Sequence, residues 1–253
     1  MQRTHVGLAV ALLVGLVSGV SAQDRAAPAP STPTAVATGA PGDKPNFKPE
    51  ELEQIMAPVA LYPDSLLSQI LMASTYPIEI VQADRWVKQY KDLKGDELAT
   101  ALENADWDPS VKSLVNFPDV LAMMSDKLDW TQQLGDAFIG QQKEVMEAVQ
   151  RLRARAQAAG KLESSKEQVI KVEQGPTQTI VIESANPDVI YVPAYSPTVV
   201  YGTWPYPAYP PYPYYPPGYT VGAAAIGFGV GVACGAAWGY AWGNCNWRGG
   251  TTK

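Results

Sequence analysis

The stretch DWTQQLGDAFIGQQKEVMEAVQRLRARAQAAG, residues 129–160, decides the fold class. Trp130, Leu134, Phe138, Val145, Val149, Leu152 and Ala156 recur at helical spacing and form one apolar stripe. On the other side, Lys143/Glu147 and Glu147/Arg151 stand at the i,i+4 spacing of exposed ion pairs. Asp129 with Gln132 three residues later has the pattern of a capping box, and Gly160 is the stop. The spacing predicts one helix from Asp129 to about Ala159, roughly 45 Å long. Gly135 and Gly140 would each weaken it by up to about 1 kcal/mol, so close packing against another helix is expected there. Arg151, Arg153 and Arg155 suit the C-terminal end, where cations complement the helix dipole.

Upstream, from Asn46, the same helical grammar repeats. Glu50 to Ala60 reads as a first helix ended or bent near Pro58. Asp64 opens a second, with Leu66, Leu67, Ile70 and Leu71 on its buried side. Pro77, Pro109 and Pro118 each stand near a helix start, where a missing N–H is harmless. Gly95 separates the third helix from a short fourth.

Downstream of Lys161 the period changes from helix to strand. Residues 168–173, 179–182 and 189–193 alternate as short strands, with Gly175-Pro176 and Asn186-Pro187 as turns. Pro193 and Pro197 assign the third strand to an edge. The fold class expected is mainly α with a small antiparallel β element (α+β), over residues 46–203, the sheet lying within 167–203.

Between Asp188 and Arg248 there is no charged side chain. Within that tract, residues 204–219 nearly alternate Pro and Tyr, a composition that predicts a polyproline-like stalk of nearly 50 Å at about 3.1 Å per residue. Residues 220–247 are apolar, and Gly227, Gly231, Gly235, Gly239 and Gly243 recur every fourth position. As a helix, Val221 to Trp242 would be about 33 Å long, near the thickness of a hydrocarbon core, with every Gly on one face. A membrane or self-association interface is the expectation, and an exposed Gly/Trp tail (ending in residues 248–253) is the bland alternative.

The N-terminus agrees with an envelope setting. Residues 1–22 carry a basic start (Arg3, His5), an apolar centre and Ser21-Ala22 before Gln23, the layout of a cleaved signal peptide. Residues 23–45 are Ala, Pro, Thr and Gly, a composition of disordered leaders. Losing Arg3 from the 19 basic residues leaves 18 against 25 acidic ones, a balance that excludes nucleic acid as a natural partner. Cleavage also removes His5, the one histidine, and with it triad chemistry and the usual zinc ligand. No catalytic residue, metal or cofactor is expected. Cys234 and Cys245 are the only thiols, and on one straight helix about 16 Å would separate them, too far to pair. A bend or a second copy would be needed for a disulfide.

Carboxylates are the remaining acid–base groups: Asp106 and Asp108 around Trp107, Asp126 and Asp129 beside Trp130, and Asp64, Glu79 and Asp84. A glycan hydrolase needs two of them roughly 5–10 Å apart. Helix capping accounts for Asp64, Asp108 and Asp129 more simply. The expectation is a non-enzymatic exported protein, periplasmic and membrane-associated, with the choice of inner or outer membrane open. A module binding peptidoglycan or another envelope polymer through Trp86, Trp107 and Trp130, or through the Tyr row of residues 204–219, is the alternative, and a carboxylate hydrolase the third.

Three strings carry a family resemblance: MAPVALYPDSLLSQILMASTYPIEIVQADRW (Met56 to Trp86), WDPSVKSLVNFPDVLAMMSDKLDWTQQLGDAF (Trp107 to Phe138) and YVPAYSPTVVYGTWPYP (Tyr191 to Pro207). Together they resemble the bacterial domain-of-unknown-function family 3300. The resemblance implies an exported protein of Gram-negative bacteria and brings no activity, substrate or catalytic residue.

Overall fold

The backbone N–H of Lys48 donates to Glu51 Oε2 at 2.7 Å and starts α1 (Pro49–Met56), with Pro49 in its first turn. The computed structural model describes residues 46–175, 178–217, 225–233, 245–247 and 249–252. The signal-peptide and leader readings, Cys234, Gly235, Gly239 and Gly243 lie outside these residues.

After α1 come α2 (Asp64–Ala73), α3 (Pro77–Gln89), α4 (Gly95–Glu103), α5 (Pro109–Leu114) and α6 (Pro118–Asp126). Proline stands at the start of α3, α5 and α6, as its spacing predicts. Helix α1 packs on α8 (Gln142–Ala158), α2 on α5 and on α7 (Leu128–Gly140), and α3 on α6. The connection between α1 and α2 is itself core, with Ala57, Val59, Ala60, Leu61 and Tyr62 buried. The apolar stripe from Trp130 to Ala156 is buried throughout.

The long helix predicted over residues 129–159 is two helices. Gln141 leaves the helical region at φ −141° and ψ 46° and separates α7 from α8. The Gln141 side chain then accepts from Phe47 N–H at 2.6 Å and donates to Phe47 C=O at 3.0 Å, so the break clamps the segment leading into α1. Asp129 does not cap: α7 begins at Leu128, with Lys127 at the N-cap position. Gly135 has the predicted close approach, since a Cβ there would meet the Ser74 carbonyl oxygen.

Strands β1 (Gln168–Glu173) and β2 (Thr179–Ser184) form the expected antiparallel hairpin, Gln168 opposite Ser184 and Glu173 opposite Thr179. The third segment forms β3 (Val189–Ile190) and β4 (Pro193–Tyr195), followed by the short α9 (Pro197–Val200). Neither joins the hairpin. Strand β4 pairs with β5 (Ile226–Phe228), and β3 with β6 (Val232–Ala233). Residues 226–228 and 232–233 are therefore strand where a helix was predicted. Gly and β-branched residues satisfy an extended pairing as readily as a helix, and the helical domain offers edges to pair with. Strands β7 (Cys245–Asn246) and β8 (Thr251–Thr252) close the described chain.

The described part of the Pro/Tyr run, residues 204–217, has neither helix nor strand, but it lies along the helices instead of projecting as a stalk. Gln54 Nε2 donates to Pro210 C=O at 2.6 Å, and Trp204 Nε1 to Tyr209 C=O at 2.8 Å. Tyr212 and Tyr214 stack at 5.1 Å, and Tyr214 meets Trp130 edge-on at 5.8 Å. Proline has no N–H to leave unsatisfied, so such a chain can lie on an apolar surface at little cost.

Candidate functional site

The described residues include four buried charged side chains, and the fold uses each of them. Helix α8 carries Arg153 into the core with no exposed surface. Its Nε donates to Ala60 C=O at 2.8 Å and its Nη2 to Tyr62 C=O at 3.0 Å. Its Nη1 donates to Asp64 Oδ1 at 2.7 Å and Ile180 C=O at 2.9 Å. Asp64 Oδ2 accepts from Trp247 Nε1 at 2.7 Å, and the Trp247 ring lies 4.7 Å from the Arg153 guanidinium carbon. One ion pair thus ties the α1–α2 connection, α8, β2 and the C-terminal strands together. Such a pair needs its surrounding hydrogen bonds to offset desolvation, and here it has them.

Glu53 is the third of these side chains. Arg151 Nε stands 2.6 Å from its Oε1, and Arg155 Nη1 2.6 Å from its Oε2. Asp84, the last, pairs with Lys88 at 2.8 Å. Of the arginine cluster Arg155 stands in the last turn of α8, as predicted, and each member also finds a carboxylate from α1 or α2. Asp64 likewise binds Arg153 instead of capping. Its side chain turns inward to the guanidinium that also serves the carbonyls of Ala60 and Tyr62.

A third cluster reads that same segment. Leu61 N–H donates to Tyr195 OH at 3.2 Å, and the hydroxyls of Tyr195 and Tyr201 donate to Ala57 C=O at 3.0 and 2.8 Å. Burial raises the pKa of both phenols. Trp130, predicted as a ligand aromatic, is buried instead and donates to Ile55 C=O of α1 at 2.9 Å.

Trp86 and Trp107 do come together. Their ring centroids are 6.0 Å apart and nearly perpendicular, with Tyr90 4.9 Å from Trp86. Both indoles are half-buried and Tyr90 is exposed. Trp107 Nε1 donates to Gln82 Oε1 at 3.1 Å, which fixes its ring. Beside them, Asp108 caps α5 as predicted, accepting Ser110 N–H at 2.9 Å, and its own N–H donates to Glu79 Oε2 at 2.7 Å. The Asp108 carboxylate raises the pKa of Tyr76, with burial adding to it.

Two open pockets flank the C-terminal strands. One, about 790 Å³, lies between α8 and the β1–β2 turn and reaches Trp247. The other, about 600 Å³, is lined by Phe117, Asp119, Val192 and the Gly227–Val232 strip. Gly227 and Gly231 lie on that strip. A Cβ on Gly231 would come 2.5 Å from Val189 Cγ1, so its need for glycine arises from packing within the chain. Cys245 is a free, buried thiol facing the Asp64 carbonyl at 3.5 Å, and burial raises its pKa. Asp106, Asp126 and Asp129 are exposed. Among the described residues no group of three His, Cys, Asp or Glu is placed to hold a metal. No described helix is long and apolar enough to cross a membrane.

The family model described as "Protein of unknown function (DUF3300)" matches residues 48–253. The chain belongs to this family. It is also 44% identical, over 167 residues, to "Uncharacterized protein YacH" of Escherichia coli (strain K12). That alignment covers 66% of this chain and 25% of the relative, so the chain spans about a quarter of the relative's length. No solved structure matches. In the DUF3300 fold described here, the MAPVALYPD string spans the buried α1–α2 connection whose carbonyls Arg153, Tyr195 and Tyr201 read. The sequence held one signal for this network: three arginines crowded into an otherwise apolar-striped helix.

Proposed function

We propose that this chain is a non-enzymatic, exported module of the cell envelope that acts by interaction. The observation that carries the reading is a division of labour. The buried charged groups Glu53, Asp64, Asp84 and Arg153 all hold the fold together, whereas Trp86, Tyr90 and Trp107 keep ring surface outside it. Groups spent on buried ion pairs are poor acid–base catalysts, because moving their protons breaks the core. Export rests on the layout of residues 1–22.

Membrane or self-association falls to the charge-free C-terminal tract. With β5 and β6 paired inside the chain, its contact surface is the strand strip that carries Val230, which is 90% exposed. Short apolar strands without charge are open to a further strand. A second reading, binding of an envelope polymer, is favoured by the Trp86–Trp107 pair.

Fractionation of cells producing the full chain tests the proposal. The expected product starts at Gln23 by mass spectrometry and appears in the periplasmic or envelope fraction. A cytosolic product retaining Met1 rejects export. Turnover of sacculi that is lost in Asp106→Asn/Asp108→Asn would overturn the non-enzymatic reading.

A further inference from the structure

Ile78, Gln82, Trp86 and Tyr90 follow one another at i,i+4 on α3 and its C-terminal cap. They make a single row about 18 Å long at 1.5 Å per residue. Ile78 is 73% exposed and Tyr90 43%. Trp107, from the α4–α5 connection, stands edge-on against Trp86 and makes the row a platform of rings in different planes. An apolar strip of this kind on a small domain marks an interaction site.

We propose that this platform binds the sugar backbone of an N-acetylated glycan. The assignment deepens the polymer-binding reading given above and rests on export to an envelope that contains such a polymer. Three observations favour a sugar chain. First, a pyranose presents polarised C–H bonds on one face, and these are attracted to the negative face of an aromatic ring. Trp86, Tyr90 and Trp107 offer such ring surface with centroids 4.9 and 6.0 Å apart, enough to meet one or two consecutive sugars.

Second, hydrogen-bonding groups are interleaved with the rings. Gln82 uses Oε1 for Trp107, which leaves its amide N–H groups to donate from an exposed side chain. Glu79 uses Oε2 for Asp108, and its other oxygen remains an acceptor beside the row. Hydroxyl and acetamido groups need this alternation of stacking surface with donors and acceptors. A purely apolar partner helix does not.

Third, Glu79, Asp106 and Asp108 lie beside the Trp107 end of the row, and their field disfavours phosphate-rich lipid headgroups and nucleic acid there. The rings are also held before any ligand arrives. Trp107 is fixed by Gln82 and the α5 start by Glu79, so little ordering entropy remains to be lost on binding.

The test uses the full-length mature chain in pull-downs on purified sacculi, chitin beads and cellulose. Retention on sacculi and chitin, with less than a tenth of it on cellulose, is expected. Soluble N-acetylglucosamine oligomers should compete and should shift tryptophan fluorescence. Trp86→Ala/Tyr90→Ala should lower retention at least tenfold, whereas Tyr215→Ala, in the Pro/Tyr run, should leave it unchanged. Because Trp86 also packs on the core, Gln82→Ala and Tyr90→Ala are measured singly, each with circular dichroism to confirm folding. They should each cost severalfold. Failure of the wild-type chain to bind either sacculi or chitin overturns the proposal, as does unchanged retention in the folded double variant. Retention on cellulose equal to that on chitin overturns the acetamido specificity. A chain that fractionates to the periplasm and yet binds no glycan removes this site and leaves the envelope reading standing.

Discussion

Trp247 donates its indole N–H to Asp64 Oδ2 at 2.7 Å across 183 residues of sequence, on the opposite side of the carboxylate from Arg153. The C-terminal strands are therefore part of the domain and complete its buried ion pair. Trp247→Phe keeps the ring over the guanidinium and removes only the donor. A hydrogen bond to a charged group contributes about 1.5–3 kcal/mol, and that much loss is expected in urea unfolding. Asp64→Ala leaves Arg153 buried without its counter-charge and should cost about 3–5 kcal/mol. A Trp247→Phe protein as stable as the parent would show that this end of the chain is not docked.

Gly135 and Gly95 separate two reasons for glycine. At Gly135 a Cβ would collide with the Ser74 carbonyl, a backbone atom that cannot move without shifting α2. Gly135→Ala should therefore destabilise by about 1–3 kcal/mol despite the better helix propensity of alanine. Gly95 sits at φ +57° with open space around its Cβ position. Gly95→Ala there costs only left-handed strain, about 1 kcal/mol. Thermal melts of the two variants should rank in that order.

Helix positions and the buried stripe were legible because periodicity is a local property. Asp108 capping α5 and the prolines opening α3, α5 and α6 follow from the same local chemistry. What escaped is long-range. Nothing near Asp64 or Arg153 in the sequence announces that they meet, so both were assigned to helix ends. The Gly-rich tract fits helix and strand alike, and its pairing with residues 189–195 was decided by edges elsewhere in the fold. Of the aromatic candidates, Trp86 and Trp107 meet at the surface, while Trp130 follows its place in the apolar stripe and is buried, its N–H on Ile55 C=O.

The break at Gln141 makes a separate prediction. Its amide forms both hydrogen bonds to Phe47 and so anchors the segment before α1. Gln141→Ala removes them and leaves residues 140–142 free to continue the helix. A stability loss of about 1–2 kcal/mol is expected, with faster amide exchange at Phe47 as the local readout. Unchanged exchange there would mean the clamp does not operate in solution.

Alkaline pH should find the Tyr195–Tyr201 pair. Burial raises both phenol pKa values above the ordinary 10.0, so between the unfolded and folded values the native chain holds protons that the unfolded chain has released. With more protons bound in the native state, stability falls as pH rises. The contribution is whole below about pH 9 and is lost progressively as the pH climbs past 10. Buried Cys245 acts in the same direction from a somewhat lower pH, because its ordinary value is 9.0. Melting temperatures of the parent should drop steeply from pH 9 to 11. In Tyr195→Phe the baseline is lower, because Ala57 and Leu61 lose a partner, but the drop with pH should be shallower. Parallel curves for the two proteins would place the alkaline sensitivity elsewhere in the chain.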